Sequence, residues 1–194
     1  YYTNWLSKLG QNTSVSTLEL GKCIVDDFVD TCASKCRGQK TTLSVIDLAE
    51  FSNTVPSKMG EFARSVSDEL QKQNYAQISD ARYNSREFAQ SSKIDQVDLV
   101  NLAENIGTPA ARDLAAALKS AVKYNKTSRE MTNAYGVSVY FPYKAASKVD
   151  SASSTYSKIG MNSEYTNCIR QFASLEASGQ VVAGGTSSPV SSLL

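Results

Sequence analysis

The chain has 194 residues, 41% of them hydrophobic and 20% charged, with a net charge of +1. This is ordinary globular composition, and it lacks the basic excess that a nucleic-acid or membrane-surface partner would need. No apolar run approaches the ~18 residues of a membrane span.

In chain order, Tyr1–Leu9 reads as a short helix with an aromatic entry and Gly10–Thr13 as a turn. Ser16 and Glu19 are spaced as a capping box, with Val15 and Leu20 placed for a hydrophobic staple. The helix they open is expected to run to about Lys35, with Leu20, Ile24, Phe28 and Cys32 on one face and Cys23 beside them. Arg37-Gly38 ends it. Thr41–Asp47 (TTLSVID) has the β-branched alternation of a strand. Asp47 and Glu50 form a cap pair for the helical run that follows. Pro56 is expected to interrupt it and to start a new helix capped by Asn53 or Thr54, with Met59, Phe62, Val66 and Leu70 as its buried stripe.

Residues 74–92 are polar and read as a short helix around Ala76–Arg82 followed by a loop. Ile94–Ile106 is amphipathic and reads as a helix. Thr108-Pro109 caps an Ala-rich helix expected to reach about Tyr124, with Leu114, Leu118 and Val122 inward. Tyr135–Tyr143 (YGVSVYFPY) carries the strongest strand signal. Val137, Val139 and Phe141 alternate with Ser138 and Tyr140, and the lack of charge on either face predicts cover on both, as inside an α/β sheet. Pro142, without an N–H, ends the strand. The two runs at 41–47 and 135–143 are expected to form the sheet on which the helices pack. Lys144–Thr155 reads as a loop, and Ser163–Ala177 as a final helix with Tyr165, Cys168, Ile169 and Phe172 inward. From Ser178 the composition is Gly/Ser/Thr/Pro-rich and predicts a mobile tail ending in Leu193-Leu194. There is no internal repeat.

The chain has four cysteines and no histidine. Cys23, Cys32 and Cys36 do not have zinc-ribbon spacing, and Cys23 and Cys32 read as small apolar residues packed on one helix, with a disulfide left open. Without His, a Ser–His or Cys–His nucleophile pair cannot be assembled from this chain alone. Asp26-Asp27-Phe28-Val29-Asp30 matches the D-D-x-x-D pattern that holds magnesium and diphosphate in isoprenoid synthases. Those enzymes need a second acidic motif, and none is found here, so a solvated helix face is the preferred reading. The Ser57-Lys58 and Ser157-Lys158 pairs lack the strand–turn–helix context of an exposed nucleophile. Asn12-Thr13-Ser14 and Asn125-Lys126-Thr127 fit the glycosylation sequon. Tyr1, Tyr2 and Trp5 form an aromatic cluster, read either as a helix docked on the core or as a lining for a substrate pocket.

Four stretches in order carry a family resemblance. They are Tyr2-Thr3-Asn4-Trp5-Leu6, then Leu20-Gly21 with Ile24-Val25-Asp26, then Thr42-Leu43-Ser44-Val45-Ile46-Asp47-Leu48, then Gly136-Val137-Ser138-Val139-Tyr140-Phe141-Pro142. With the Tyr165-x-x-Cys168-Ile169 helix, they make the chain resemble the clostripain-like cysteine peptidases over Tyr1 to about Gly179. The resemblance implies an α/β fold: a caspase-like sheet core completed by an upstream segment or chain, with a mostly helical C-terminal addition. Residues 1–52 would belong to the catalytic core, 53–180 to the helical region with one core strand at 135–142, and 181–194 to a flexible tail.

The implied activity is a Cys–His dyad cleaving peptides and proteins after Arg or Lys, with calcium needed by some members. Many members are cut into light and heavy chains during activation that stay associated, and a bacterial, exported location follows from the same likeness. The family's catalytic Cys and His lie upstream of the segment matching Tyr2–Leu6. This chain, which starts at Tyr1 without a Met, is therefore expected to be a processed chain or a piece of a larger protein. Its partner would be the segment or light chain of the same precursor that carries the dyad. No catalytic residue is assigned here; Tyr1 and Tyr2 are the candidate substrate contacts. The rival expectation is a non-catalytic helical binding or scaffold module that folds alone.

Overall fold

A computed structural model describes residues 2–143 and 146–177. Among them are eight helices and two small antiparallel sheets. The elements are α1 (Tyr2–Gln11), α2 (Thr17–Lys35), β1 (Thr42–Ile46), α3 (Leu48–Gln71), α4 (Tyr75–Tyr83), β2 (Glu87–Phe88), β3 (Gln96–Asp98), α5 (Leu99–Ile106), α6 (Pro109–Ala121), β4 (Val122–Thr127), β5 (Ser138–Tyr140), α7 (Val149–Lys158) and α8 (Ser163–Ala177). The chain is thus α/β and mostly helical. The described residues contain no parallel sheet.

Helix starts follow local chemistry. Ser16 accepts from the Glu19 N–H at 3.2 Å, Asp47 from that of Glu50 at 2.9 Å, Asp98 from that of Asn101 at 2.9 Å and Thr108 from that of Ala111 at 3.2 Å. Each satisfies a backbone donor that the helix leaves orphaned. In the two caps with Glu three residues on, that Glu turns elsewhere: Glu19 pairs with Lys22, and Glu50 reaches Ser120 and Lys123, tying the start of α3 to the end of α6 and the start of β4.

One core joins α3, α4, α5, α6 and α8 with β3 and β5. The predicted stripes supply it. Met59, Phe62, Val66 and Leu70 are buried, as are Leu114 and Leu118, and Tyr165, Cys168, Ile169 and Phe172 are sealed at 0% exposure.

Several expectations are corrected. The strands at 41–47 and 135–143 do not pair with each other. β1 pairs with β4, and β5 pairs with β3 in the order β2-β3-β5. β4 replaces the last turn of the expected helix at 109–124: Val122 caps α6 in extended backbone and begins the strand. Pro56 does not interrupt α3. It lies on the exposed face, so the Ser52 carbonyl that loses its donor can turn to water.

The helix expected over 94–106 is split. Asp95 is held at φ +52, residues 96–98 join β5 as β3, and Asp98 then caps a shorter α5. The loop expected over 144–155 gives way to α7 from Val149, and β2 lies in the loop expected after the short helix around Ala76–Arg82, which is present as α4. β5 is covered at Val139 and Tyr140, but Ser138 is exposed. In α2 the buried residues are Val25 and Val29, one position on from the predicted stripe. Residues 144–145 and the predicted tail from Ser178 lie outside the described residues.

Candidate functional site

The β1–β4 ribbon lies between two supports. Leu43, Val45, Tyr124 and Lys126 share the face toward α2, where Gly21 comes so close to Val45 that a Cβ on it would sit 2.9 Å from Val45 Cγ2. On the same face the Tyr124 hydroxyl donates to Asp26 at 2.8 Å, and Lys126 donates to Asp26 and Asp30, each at 2.9 Å. On the other face Ser44 Oγ donates to the Gly136 carbonyl at 3.3 Å, and Asn125 Nδ2 donates to that of Ala134 at 2.8 Å. Gly136, at φ +105, has no room for a Cβ, which would stand 2.6 Å from Ser44 Oγ.

Covered on both faces, the ribbon still has no fully buried residue in either strand. α1 has none either. This layer contributes no member to the core cluster.

The ribbon is open at its edges. Ser128 N–H donates to the Thr41 carbonyl at 2.8 Å, which makes 41–128 a bonded pair. By the antiparallel alternation, Leu43 and Val45 then point their backbone groups at β4, and Thr42 and Ser44 point theirs outward. Among the described residues no strand meets them. The outer edge of β5 is treated differently. The Tyr140 N–H donates to the Tyr156 hydroxyl at 2.8 Å, and the Tyr165 hydroxyl donates to the Tyr140 carbonyl at 2.6 Å. Two tyrosines thus close that edge at Tyr140.

Two clefts border the open edge of β1. One of about 290 Å³ is lined by Thr42, Leu43, Ser44, Phe88 and residues 136–138. The other, of about 560 Å³, runs on past Thr42 and Phe88 to Lys40, Arg86, Gln90 and Met131.

Tyr1 lies outside the described residues. Tyr2 is 61% exposed on α1, with its ring centroid 6.1 Å from that of Trp5. Neither Tyr2 nor Trp5 borders the clefts along β1. The D-D-x-x-D carboxylates do not converge. Asp26 and Asp30 share the Lys126 ammonium, while Asp27 accepts from Asn4 of α1 at 3.4 Å. The Lys126 hydrogen bond, aided by the Tyr124 hydroxyl and opposed by burial, holds the Asp26 carboxyl below its ordinary range. Asp30 and then Asp26 push the Lys126 ammonium well above its own.

Among the described residues no group of three or more His, Cys, Asp or Glu side chains gathers as a metal site would require. Ser57 and Lys58 both engage Glu61, and Ser157 bonds back to the Ser153 carbonyl, so neither pair is set up as a nucleophile. Cys23 and Cys32 are half-buried on α2, Cys36 is exposed, and Cys168 is sealed in the core, where burial pushes its thiol up to about 12.

One cluster had no signal in sequence. Arg82 and Asp95, 1% and 0% exposed, lie 3.5 Å apart, and Glu87 is 3.6 Å from Arg82. Arg82 Nε donates to the Phe141 carbonyl at 3.0 Å, and the guanidinium stands 5.1 Å from the Tyr143 ring centroid. Asp95 accepts from the Phe141 N–H through its carbonyl and from the Tyr143 N–H through its carboxylate, each at 3.0 Å. The fully buried Glu176 carboxyl is pushed up to about 8 by burial and then by the Asp95 charge, with Arg82 pulling the other way. These groups, distant in sequence, clamp the backbone just after β5 onto α4 and the β2–β3 hairpin. Being sealed, they fix the end of β5.

No described helix is long and apolar enough to cross a membrane. Compared with family models, curated proteins and solved structures, the chain finds no match in any of the three.

Proposed function

We propose that this chain is part of a clostripain-like cysteine endopeptidase that cleaves after Arg or Lys, its Cys–His dyad carried by another segment of the same precursor. The motif order from Tyr2-Thr3-Asn4-Trp5-Leu6 to the strand ending at Pro142 supports the family. The observation that carries the reading is the ribbon: β1 and β4 have cover on both faces, open outer edges and no fully buried residue. A two-stranded ribbon is marginal by itself, and cover on both faces suits the interior of a larger sheet. Strands of the catalytic segment would extend it into a caspase-like sheet. β5, its edge closed at Tyr140 by Tyr156 and Tyr165, would stay in its own small sheet.

Tyr1 and Tyr2, at the end nearest the segment that bears the dyad, are the proposed substrate contacts. A calcium requirement and a bacterial, exported location belong to the same reading. The test is denaturing intact-mass analysis of the protein purified from its producing cell, with activity measured on an Arg- or Lys-ended fluorogenic peptide before and after thiol alkylation. A second polypeptide or a longer chain containing Cys and His, with alkylation-sensitive cleavage, is expected. A single inactive 21.0 kDa species would overturn it.

One observation favours a second reading, a non-catalytic helical binding module. The core formed by α3, α4, α5, α6 and α8 is closed without help from the ribbon layer. On this reading the chain alone is a stable monomer with a fully formed ribbon.

A further inference from the structure

The last turn of α2 holds two of the four free cysteines, four residues apart. Cys32 is half-buried in the helix, and Cys36 is its exposed C-cap, with the Cys36 N–H donating to the Cys32 carbonyl at 2.8 Å. Residues four apart on a helix share a face with Cβ atoms roughly 5–6 Å apart. A disulfide needs roughly 3.5–4.5 Å, so the turn must tighten or open slightly. Here it can. Cys36 has already left helical backbone at φ −120 and ψ 55, Gly38 follows at φ +85, and residues 33–40 are exposed.

The other thiols are poorly placed. Cys32 lies nine positions after Cys23, about half a turn out of phase and ~13 Å along the helix. Cys168 is sealed in the helical core. Burial, and then the neighbouring Cys36 thiol, raises the Cys32 pKa. Cys36 is the exposed thiol of the two, so a reagent from solvent meets it first.

We propose that Cys32 and Cys36 form a reversible disulfide by exchange with a small disulfide such as oxidised glutathione. Cys36, as thiolate, attacks one sulfur of the reagent and expels a glutathione thiolate. Cys32 then gives up its proton, attacks the mixed disulfide at Cys36 and expels the second glutathione. The two cysteines lose two electrons and two protons, and the reagent is reduced to two thiols. Because the bond closes only with some distortion of the turn, it is readily reduced, as expected of a labile rather than a structural disulfide. The turn leads through residues 37–41 into β1, so oxidation bears on the approach to the ribbon. This inference is independent of the peptidase reading.

The experiment treats the folded chain with oxidised glutathione, alkylates it with iodoacetamide under denaturing conditions and measures its intact mass. The expected result is two alkylations instead of four, with tryptic peptides Cys23–Lys35 and Cys36-Arg37 linked until dithiothreitol is added. C23S should still form the link, and C32S should retain glutathione on Cys36. Four alkylations, a covalent dimer or a stable glutathione adduct on the wild-type chain would each overturn the proposal.

Discussion

Glu176 has a pH dependence that can be worked out. Its carboxyl stands at about 8 in the folded chain against an ordinary 4.5, because it is buried beside Asp95. A raised carboxyl pKa favours the protonated form in the fold. Below pH 4.5 both states hold the proton and the group contributes nothing. Between about 4.5 and 8 the unfolded chain releases the proton and the folded one keeps it, so stability falls as pH rises, by up to about 1.4 kcal/mol per unit. Urea midpoints of the wild type should therefore decline over that window, and E176Q should flatten the decline. A wild-type curve level from pH 5 to 8 would show that Glu176 is ionised in the fold.

Gly136 gives a second expectation at this scale. At φ +105 and 2.6 Å from Ser44 Oγ at the Cβ position, it tolerates no side chain. G136A should cost about 2 kcal/mol or more from backbone strain and the displaced Ser44, read as a lowered urea midpoint. G10A, near the end of α1, where an added Cβ meets nothing within 4 Å, is the control and should leave the midpoint unchanged or slightly raised.

Pro56 sets the expectation at the scale of the element. It sits inside α3 on an exposed face, with no N–H for the Ser52 carbonyl. P56A should restore that hydrogen bond and stabilise the fold by about 1 kcal/mol, the helix gain being partly offset by a freer unfolded chain. A lower thermal midpoint for P56A would mean that the proline, whose carbonyl accepts from Asn162, holds a bend the packing needs.

This proline also marks what was legible in the sequence. A cap placed the start of α2, and periodic stripes placed the Met59–Leu70 part of α3, most of α6, and α8, because a buried helical face repeats every three to four residues whatever lies elsewhere. The break expected at Pro56 is absent, and the buried face of α2 lies one position on from its expected stripe. Stripes and caps did not place β3, since Val97 continues the apolar pattern of Leu99, Val100, Leu102 and Ala103 as a helix would. Only the pairing of β3 with β5 separates it from α5. Nor did they place β4, which follows α6 without a loop, so that helix propensity runs on into a strand selected by a partner some eighty residues away. The Arg82–Asp95–Glu176 cluster was invisible for the same reason: its members meet only in the finished fold. The Ser16, Asp47 and Thr108 caps, being local, were all readable.

At the scale of the whole molecule the two layers should differ in stability. The helical core holds nearly all the sealed apolar residues, while α1, β1 and β4 hold none and α2 holds two. Regions with little apolar burial open by local routes at a fraction of the global free energy. In the chain alone, the Leu43 and Val45 amides, bonded to β4, should exchange with deuterium well before those of α3, α6 and α8. The outward Thr42 and Ser44 amides should exchange fastest within β1. If strands from a catalytic segment extend the sheet, the Thr42 and Ser44 amides should gain protection in the complete enzyme, provided β1 is the edge they join. Leu43 and Val45 should then rise toward the helical core. A uniform, high protection across both layers in the isolated chain would mean that the ribbon already folds as one cooperative unit with the helices. It would leave the open edge of β1 without a structural need for a missing strand, and the self-contained binding module would become the better account of the molecule.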